Sequence, residues 1–242
     1  MLAVTLWVVL TVEALVALTW LAVALAPARR RNLRALVDLT DDPSDGEDAT
    51  LPAVAIVCPG RNEAAHITTT LPELCEQDYP NLRVVFIDDD SDDATPTITA
   101  DLAARYDRLL VVRNDAPPPD GWVGKCWAIE RGWAALKESA WWRQQQHPWV
   151  CFADADIHWH PRCLRSAMRH AQQHDAQVVS VLPRAEFGSV TEAIVQVQLA
   201  LGLCVLYPID RAMDPNYPDT LTGGAFILTP ASLYEQAGTH RA

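Results

Sequence analysis

Leu82-Arg83-Val84-Val85-Phe86-Ile87-Asp88-Asp89-Asp90-Ser91-Asp92-Asp93-Ala94-Thr95 is an apolar run that stops abruptly in carboxylates. Six residues rich in β-branched and aromatic side chains predict a buried strand over 82–87. The five carboxylates that follow within six residues repel one another. That repulsion is relieved by a cation or by the hydrogen-bond donors of a ligand. The same residues equally suit a solvated turn and a helix N-terminus, where Asp and Ser cap and complement the dipole.

The pattern recurs on both sides. Residues 53–58 form a short apolar run closed by Pro59-Gly60, and 109–113 and 149–153 read as further strands. The run over 149–153 again ends in carboxylates, Asp154 and Asp156, and 177–182 reads as a fifth strand. Between them lie helical stretches: one from about Glu63, interrupted near Pro72, then 93–105, 125–140 and 161–174. Alternation of this kind predicts an α/β fold with a mostly parallel sheet flanked by helices. Such sheets bind ligands beyond the carboxyl ends of their strands, where these acidic residues fall.

Asp154-Ala155-Asp156 brings two carboxylates, two positions apart, to the end of an apolar strand. Hard oxygen ligands with open positions suit Mg²⁺ or Mn²⁺ bridging a diphosphate. His158 and His160 follow closely, and reading them as ordinary loop residues is favoured over a transition-metal site. The six cysteines are scattered with no CxxC pair, which predicts reduced and mostly buried thiols. GxGxxG, P-loop and GxSxG signatures are absent from the sequence, which excludes the enzyme classes that carry them.

The ends of the chain read differently. Residues 2–26 are almost wholly apolar, with Glu13 the only charge. As a helix they extend roughly 37 Å at about 1.5 Å per residue, enough for a hydrocarbon core of about 30 Å. Arg29, Arg30, Arg31 and Arg34 follow, which places the rest of the chain on the cytoplasmic side. A cleaved signal peptide is the rival, but the run is long, lacks a basic start and is followed by Pro27. The expected organisation is an inner-membrane anchor over 1–27, a basic then acidic linker over 28–50, and one domain over 51–242. Residues 190–209 form another long apolar stretch, read as packing against the sheet in preference to lying on a membrane surface. The 242 residues carry a net charge of −12, which excludes a nucleic-acid partner that needs clustered Lys and Arg.

In order and spacing, these motifs resemble family 2 glycosyltransferases of the GT-A fold. Pro59-Gly60-Arg61-Asn62-Glu63 is similar to the family's first-strand motif, and Asp88-Asp89-x-Ser91-x-Asp93-x-Thr95 to its nucleotide-binding signature. Gly124-Lys125-x-x-Ala128 resembles a segment whose Lys lies near the donor, Asp154-x-Asp156 the metal-binding DxD, and Thr222-Gly223-Gly224 the glycine turn near the acceptor. The anchor and the stretch over 121–128 resemble the hopene-associated branch. The resemblance implies a nucleotide-sugar donor, most simply a UDP-sugar. It also implies inversion and a lipid acceptor of hopanoid or polyprenyl type. Donor contacts are expected from Pro59, Arg61, Asn62, Glu63, Asp88, Asp89, Ser91, Asp93, Lys125 and Asp154. Asp156, with Asp154, is expected to hold the metal, and Gly223 and Gly224 to face the acceptor. The family's general base is an acidic residue downstream of the glycine turn. Only Glu235 lies there, so the chain reads as C-terminally incomplete and no base is assigned. A nucleotidyltransferase and an inactive nucleotide-binding or scaffold protein are the alternatives.

Overall fold

A computed structural model describes residues 51–184, 187–206 and 222–241, together with Trp7, Thr11, residues 14–16 and Leu18. The described residues fall into two units. The first is an α/β layer built on six strands: β1 (Val54–Gly60), β2 (Leu82–Asp88), β3 (Leu109–Arg113), β4 (Trp149–Ala153), β5 (Val179–Ser180) and β6 (Phe226–Pro230). Their order across the sheet is β3-β2-β1-β4-β6-β5. β1 pairs in parallel with β2 and β4, and β2 with β3, whereas β6 runs antiparallel to both β4 and β5.

The helices of this unit are α1 (Ile67–Cys75), α2 (Thr95–Arg105), α3 (Gly124–Glu138), α4 (Ala140–Arg143), α5 (Cys163–Gln173) and, after β6, α7 (Ala231–Gln236). Side chains alternate along each strand with a period of two, so both sheet faces are covered. Val54, Ile56, Val84, Phe86 and Cys151 pack with Ile67, Leu71, Leu102, Leu164 and Met168 on one face. Ala55, Val57, Val85, Ile87, Val150 and Phe152 pack with Ile129, Trp133, Leu136 and Tyr234 on the other. Continuous apolar runs in β1, β2 and β4 are therefore what a sheet buried on both faces requires.

Four of the expected strands, in β1 to β4, are present within two residues of their predicted ends. The fifth contracts to the two residues of β5. β6 was not foreseen. Its five residues, Phe-Ile-Leu-Thr-Pro, are too short to be told from a helical fragment by periodicity, and pairing with β4 decides them.

The second unit contains α6 (Val190–Leu206) and the described N-terminal positions. Val190, Ile194, Val195 and Leu199 of α6 are exposed. Trp7, Thr11, residues 14–16 and Leu18 are helical, with the Thr11 hydroxyl donating to the Trp7 carbonyl at 2.7 Å. Among the described residues no helix is long and apolar enough to cross a membrane. Glu13, the basic cluster 29–34 and the acidic linker lie outside the described residues.

Candidate active site

The carboxyl ends of β1, β2 and β4 lie side by side, and a cleft of about 390 Å³ opens there. Pro59, Gly60, Arg61, Glu63, Asp89, Lys125, Asp154, Ala155 and Asp156 line it. Gly60 lies opposite Asp88 in the β1–β2 register, and its carbonyl accepts from the Asp89 amide at 2.9 Å. A Cβ on Gly60 would sit 2.8 Å from the tip of the Phe86 ring, so a side chain there would force that ring to shift.

The loops after β1 and β2 are joined by short polar side chains. The Asn62 amide donates to Ser91 Oγ at 2.9 Å, and the Asp92 amide donates to Asn62 Oδ1 at 2.9 Å. The Glu63 amide donates to Thr95 Oγ1 at 2.9 Å, and the Ala64 amide to Asp93 Oδ2 at 3.1 Å. Asn62 adopts a left-handed backbone with φ of 57°, a conformation Asn tolerates better than most side chains. The Thr95 hydroxyl, followed by the Thr95 and Ala64 amides, holds the Asp93 carboxyl below its ordinary range.

Asp88 turns inward. It is 1% exposed, accepts from the Ser91 amide at 3.1 Å and pairs with Arg113 Nη1 at 2.5 Å. Arg113 also donates to the Ser91 carbonyl at 3.2 Å. Asp89 faces the cleft instead, and Asn114 Nδ2 donates to its Oδ1 at 2.6 Å. Arg113 and Asn114 were missed by the sequence reading. The signal for them was their position, directly at the end of β3, where this sheet gathers its polar groups.

Across the cleft, Lys125 at the start of α3 forms an ion pair with Asp154 Oδ1. Asp156 stands beside them in the same lining. Cys58 is fully buried, and burial, reinforced by Asp154, pushes its thiol above the ordinary range.

The structure therefore divides the expected donor residues. Pro59, Arg61, Glu63, Asp89, Lys125, Asp154 and Asp156 share one cleft. Asn62, Asp88, Ser91 and Asp93 do not line it, because their side chains satisfy backbone amides or Arg113. Gly223 and Gly224 also lie outside the lining. Gly223 joins β5 to the turn before β6, its amide donating to Ser180 Oγ at 2.8 Å. Glu235 on α7 is half-exposed, pairs with Lys137 at 3.5 Å and is not in the cleft.

Residues 55–227 match the profile described as Glycosyl transferase family 2. The chain belongs to that family. Membership of this family disfavours the nucleotidyltransferase alternative. It is 43% identical over 77 residues to a beta-monoglucosyldiacylglycerol synthase of Nostoc sp., covering 31% of this chain and 16% of that protein. To the enzyme of the same name from Synechocystis sp. it is 33% identical over 125 residues, 48% of this chain and 26% of the other. The chain thus spans about a quarter or less of the length of these relatives. A mannosyltransferase from Pyrobaculum calidifontis, solved with GDP-Man and Mn²⁺, superposes with a TM-score of 0.55 at 22% identity. That match covers 92% of this chain and 59% of the mannosyltransferase. It establishes the shared fold.

Proposed function

We propose that this glycosyltransferase moves a sugar from a nucleoside-diphosphate donor, a UDP-sugar, to the hydroxyl of a lipid, with inversion at the anomeric carbon. The observation that carries the reading is the convergence of Asp89, Lys125, Asp154 and Asp156 on one cleft at the strand ends. Asp89, oriented by Asn114, offers a carboxylate acceptor for the donor N–H or O–H groups of a base or ribose. Lys125, held by Asp154 on a half-exposed side chain, is able to turn to a phosphate as negative charge develops there.

Asp154 and Asp156 fit a divalent cation as hard oxygen ligands, and they fit one that is only partly protein-bound. Among the described residues no group of three or more potential ligands converges. The remaining positions would be filled by diphosphate oxygens and water, the usual state of Mg²⁺ at substrate phosphates. Bound there, Mg²⁺ or Mn²⁺ would neutralise the departing diphosphate. The manganese and GDP-mannose in the mannosyltransferase of the same fold support this use of the site.

A lipid acceptor is supported by the names of the diacylglycerol-modifying relatives, and a hopanoid or polyprenyl-type lipid by the branch resemblance over 121–128. Residues 1–27 are proposed as the inner-membrane anchor, with the catalytic domain on the cytoplasmic side. The exposed apolar side chains of α6 support contact with lipid. The alternative reading is a chain that binds the donor without transferring it. Calorimetry of UDP and GDP binding to the full chain in detergent tests the proposal. UDP binding strengthened by Mn²⁺, with Asp156→Ala removing about tenfold or more of that gain, is expected. A folded chain that binds neither nucleotide refutes it, and release of free sugar or glycolipid from a UDP-sugar rejects the alternative reading.

A further inference from the structure

The segment that carries Asp154 and Asp156 continues to the start of α5 with little regular structure of its own. A loop of that kind holds two carboxylates in register only if something outside it fixes its backbone. α1 supplies that support along one face. Thr70, Glu73 and Gln77 are spaced i, i+3 and i+7, the spacing of one helical stripe, with Gln77 just past the helix end. Their side chains meet the loop in the same order.

The Thr70 hydroxyl donates to the carbonyl of Ala155 at 2.6 Å. Glu73 accepts from the Trp159 amide at 2.9 Å and contacts His158 Nδ1 at 3.0 Å. The Gln77 amide spans two points, donating to the His160 carbonyl at 3.0 Å and accepting from the Leu164 amide at 3.0 Å. Thr70 and Gln77 are each 2% exposed, so these bonds form out of competition with water. The donor cleft itself is not touched by Thr70, Glu73 or Gln77.

Thr70 has the most direct leverage. Ala155 stands between the two carboxylates, and its carbonyl belongs to the peptide that joins it to Asp156. Fixing the plane of that peptide sets the backbone of Asp156 and hence the direction in which its carboxylate leaves the chain. We propose that Thr70 is a positioning residue for the Asp154–Asp156 pair, acting through the Ala155 carbonyl, and that Glu73 extends the same support to the following residues. The inference rests on the reading of Asp154 and Asp156 as metal ligands.

The test compares Mn²⁺-dependent and metal-free UDP binding by calorimetry on the full chain. Thr70→Val keeps the shape and removes the hydroxyl, and Thr70→Ser restores it. Thr70→Val is expected to weaken Mn²⁺-dependent binding about tenfold while metal-free affinity stays unchanged, and Thr70→Ser to stay within about twofold of the parent. If Thr70→Val does not fold, Glu73→Ala is read in the same assay, with about a threefold loss confined to the Mn²⁺-dependent part. Unchanged Mn²⁺-dependent binding in the folded variant overturns the inference, as does an equal loss of metal-free binding, which marks a general structural role. A parent chain whose UDP binding ignores Mn²⁺ overturns the metal reading first, and this inference with it.

Discussion

Asp88 and Asp89 are chemically identical neighbours with opposite assignments. Asp88 points under the sheet end to Arg113 and the Ser91 amide, and Asp89 points into the cleft. A residue string gives the type of each side chain and its place after a strand, but not which way it turns. Short polar side chains at strand ends satisfy neighbouring amides as readily as they bind ligands. Ser91 and Asp93, expected at the donor, accept hydrogen bonds that join the two loops. The Asp88 carboxylate, nearly free of water contact, depends on its charged partner. Arg113→Met is expected to destabilise the chain by about 2 kcal/mol, the scale of a hydrogen bond to a charged group with a buried acceptor left short of a donor. Urea unfolding at constant m-value measures this.

Among the elements, α3 was legible almost to the residue, and the reason it sits so close to the sheet was not. Gly132 lies on its inner face. A Cβ there would be 2.5 Å from Cγ1 and Cδ1 of the buried Ile87 on β2. The glycine is a contact point, where helix and sheet approach more closely than any other residue allows. Gly132→Ala is expected to cost about 1–2 kcal/mol, because overpacking exceeds the roughly 1 kcal/mol gained in helix propensity. A lowered urea midpoint reports it, and Ile87→Val in the same background should recover part of the loss. β5 and β6 show the opposite limit. The expected strand over 177–182 keeps only two paired residues, and β6, whose five residues carry too little pattern to define a strand, is made one by its antiparallel ladders with β4 and β5.

For the whole molecule, acid sensitivity follows from two histidines. Burial lowers the proton affinity of His240, with Glu130 opposing and Lys125 adding to the shift. Burial, then His174, lowers that of His170. His240 also meets the Tyr234 hydroxyl at 2.6 Å and the edge of Phe152. The unfolded chain takes up these protons near pH 6.5, and the folded chain only at lower pH. Stability is therefore flat with respect to these groups above about pH 7 and falls as pH drops through 6.5 toward the folded values. Urea midpoints measured between pH 7.5 and 5 check this, and His240→Gln should flatten the decline. The sequence by itself determined the alternating α/β plan, the four parallel strands and the gathering of carboxylates at their ends. Apolar period and chain breaks are local properties, so they are readable without a fold. Only the tertiary structure decided that Asp89, Asp154, Asp156 and Lys125 face one another, and that Asn62, Asp88, Ser91 and Asp93 spend their side chains on backbone and Arg113. The contacts that join these loops link residues far apart in sequence, 25 positions for Asp88 and Arg113 and 29 for both Asn62–Ser91 and Lys125–Asp154, a proximity no local pattern encodes.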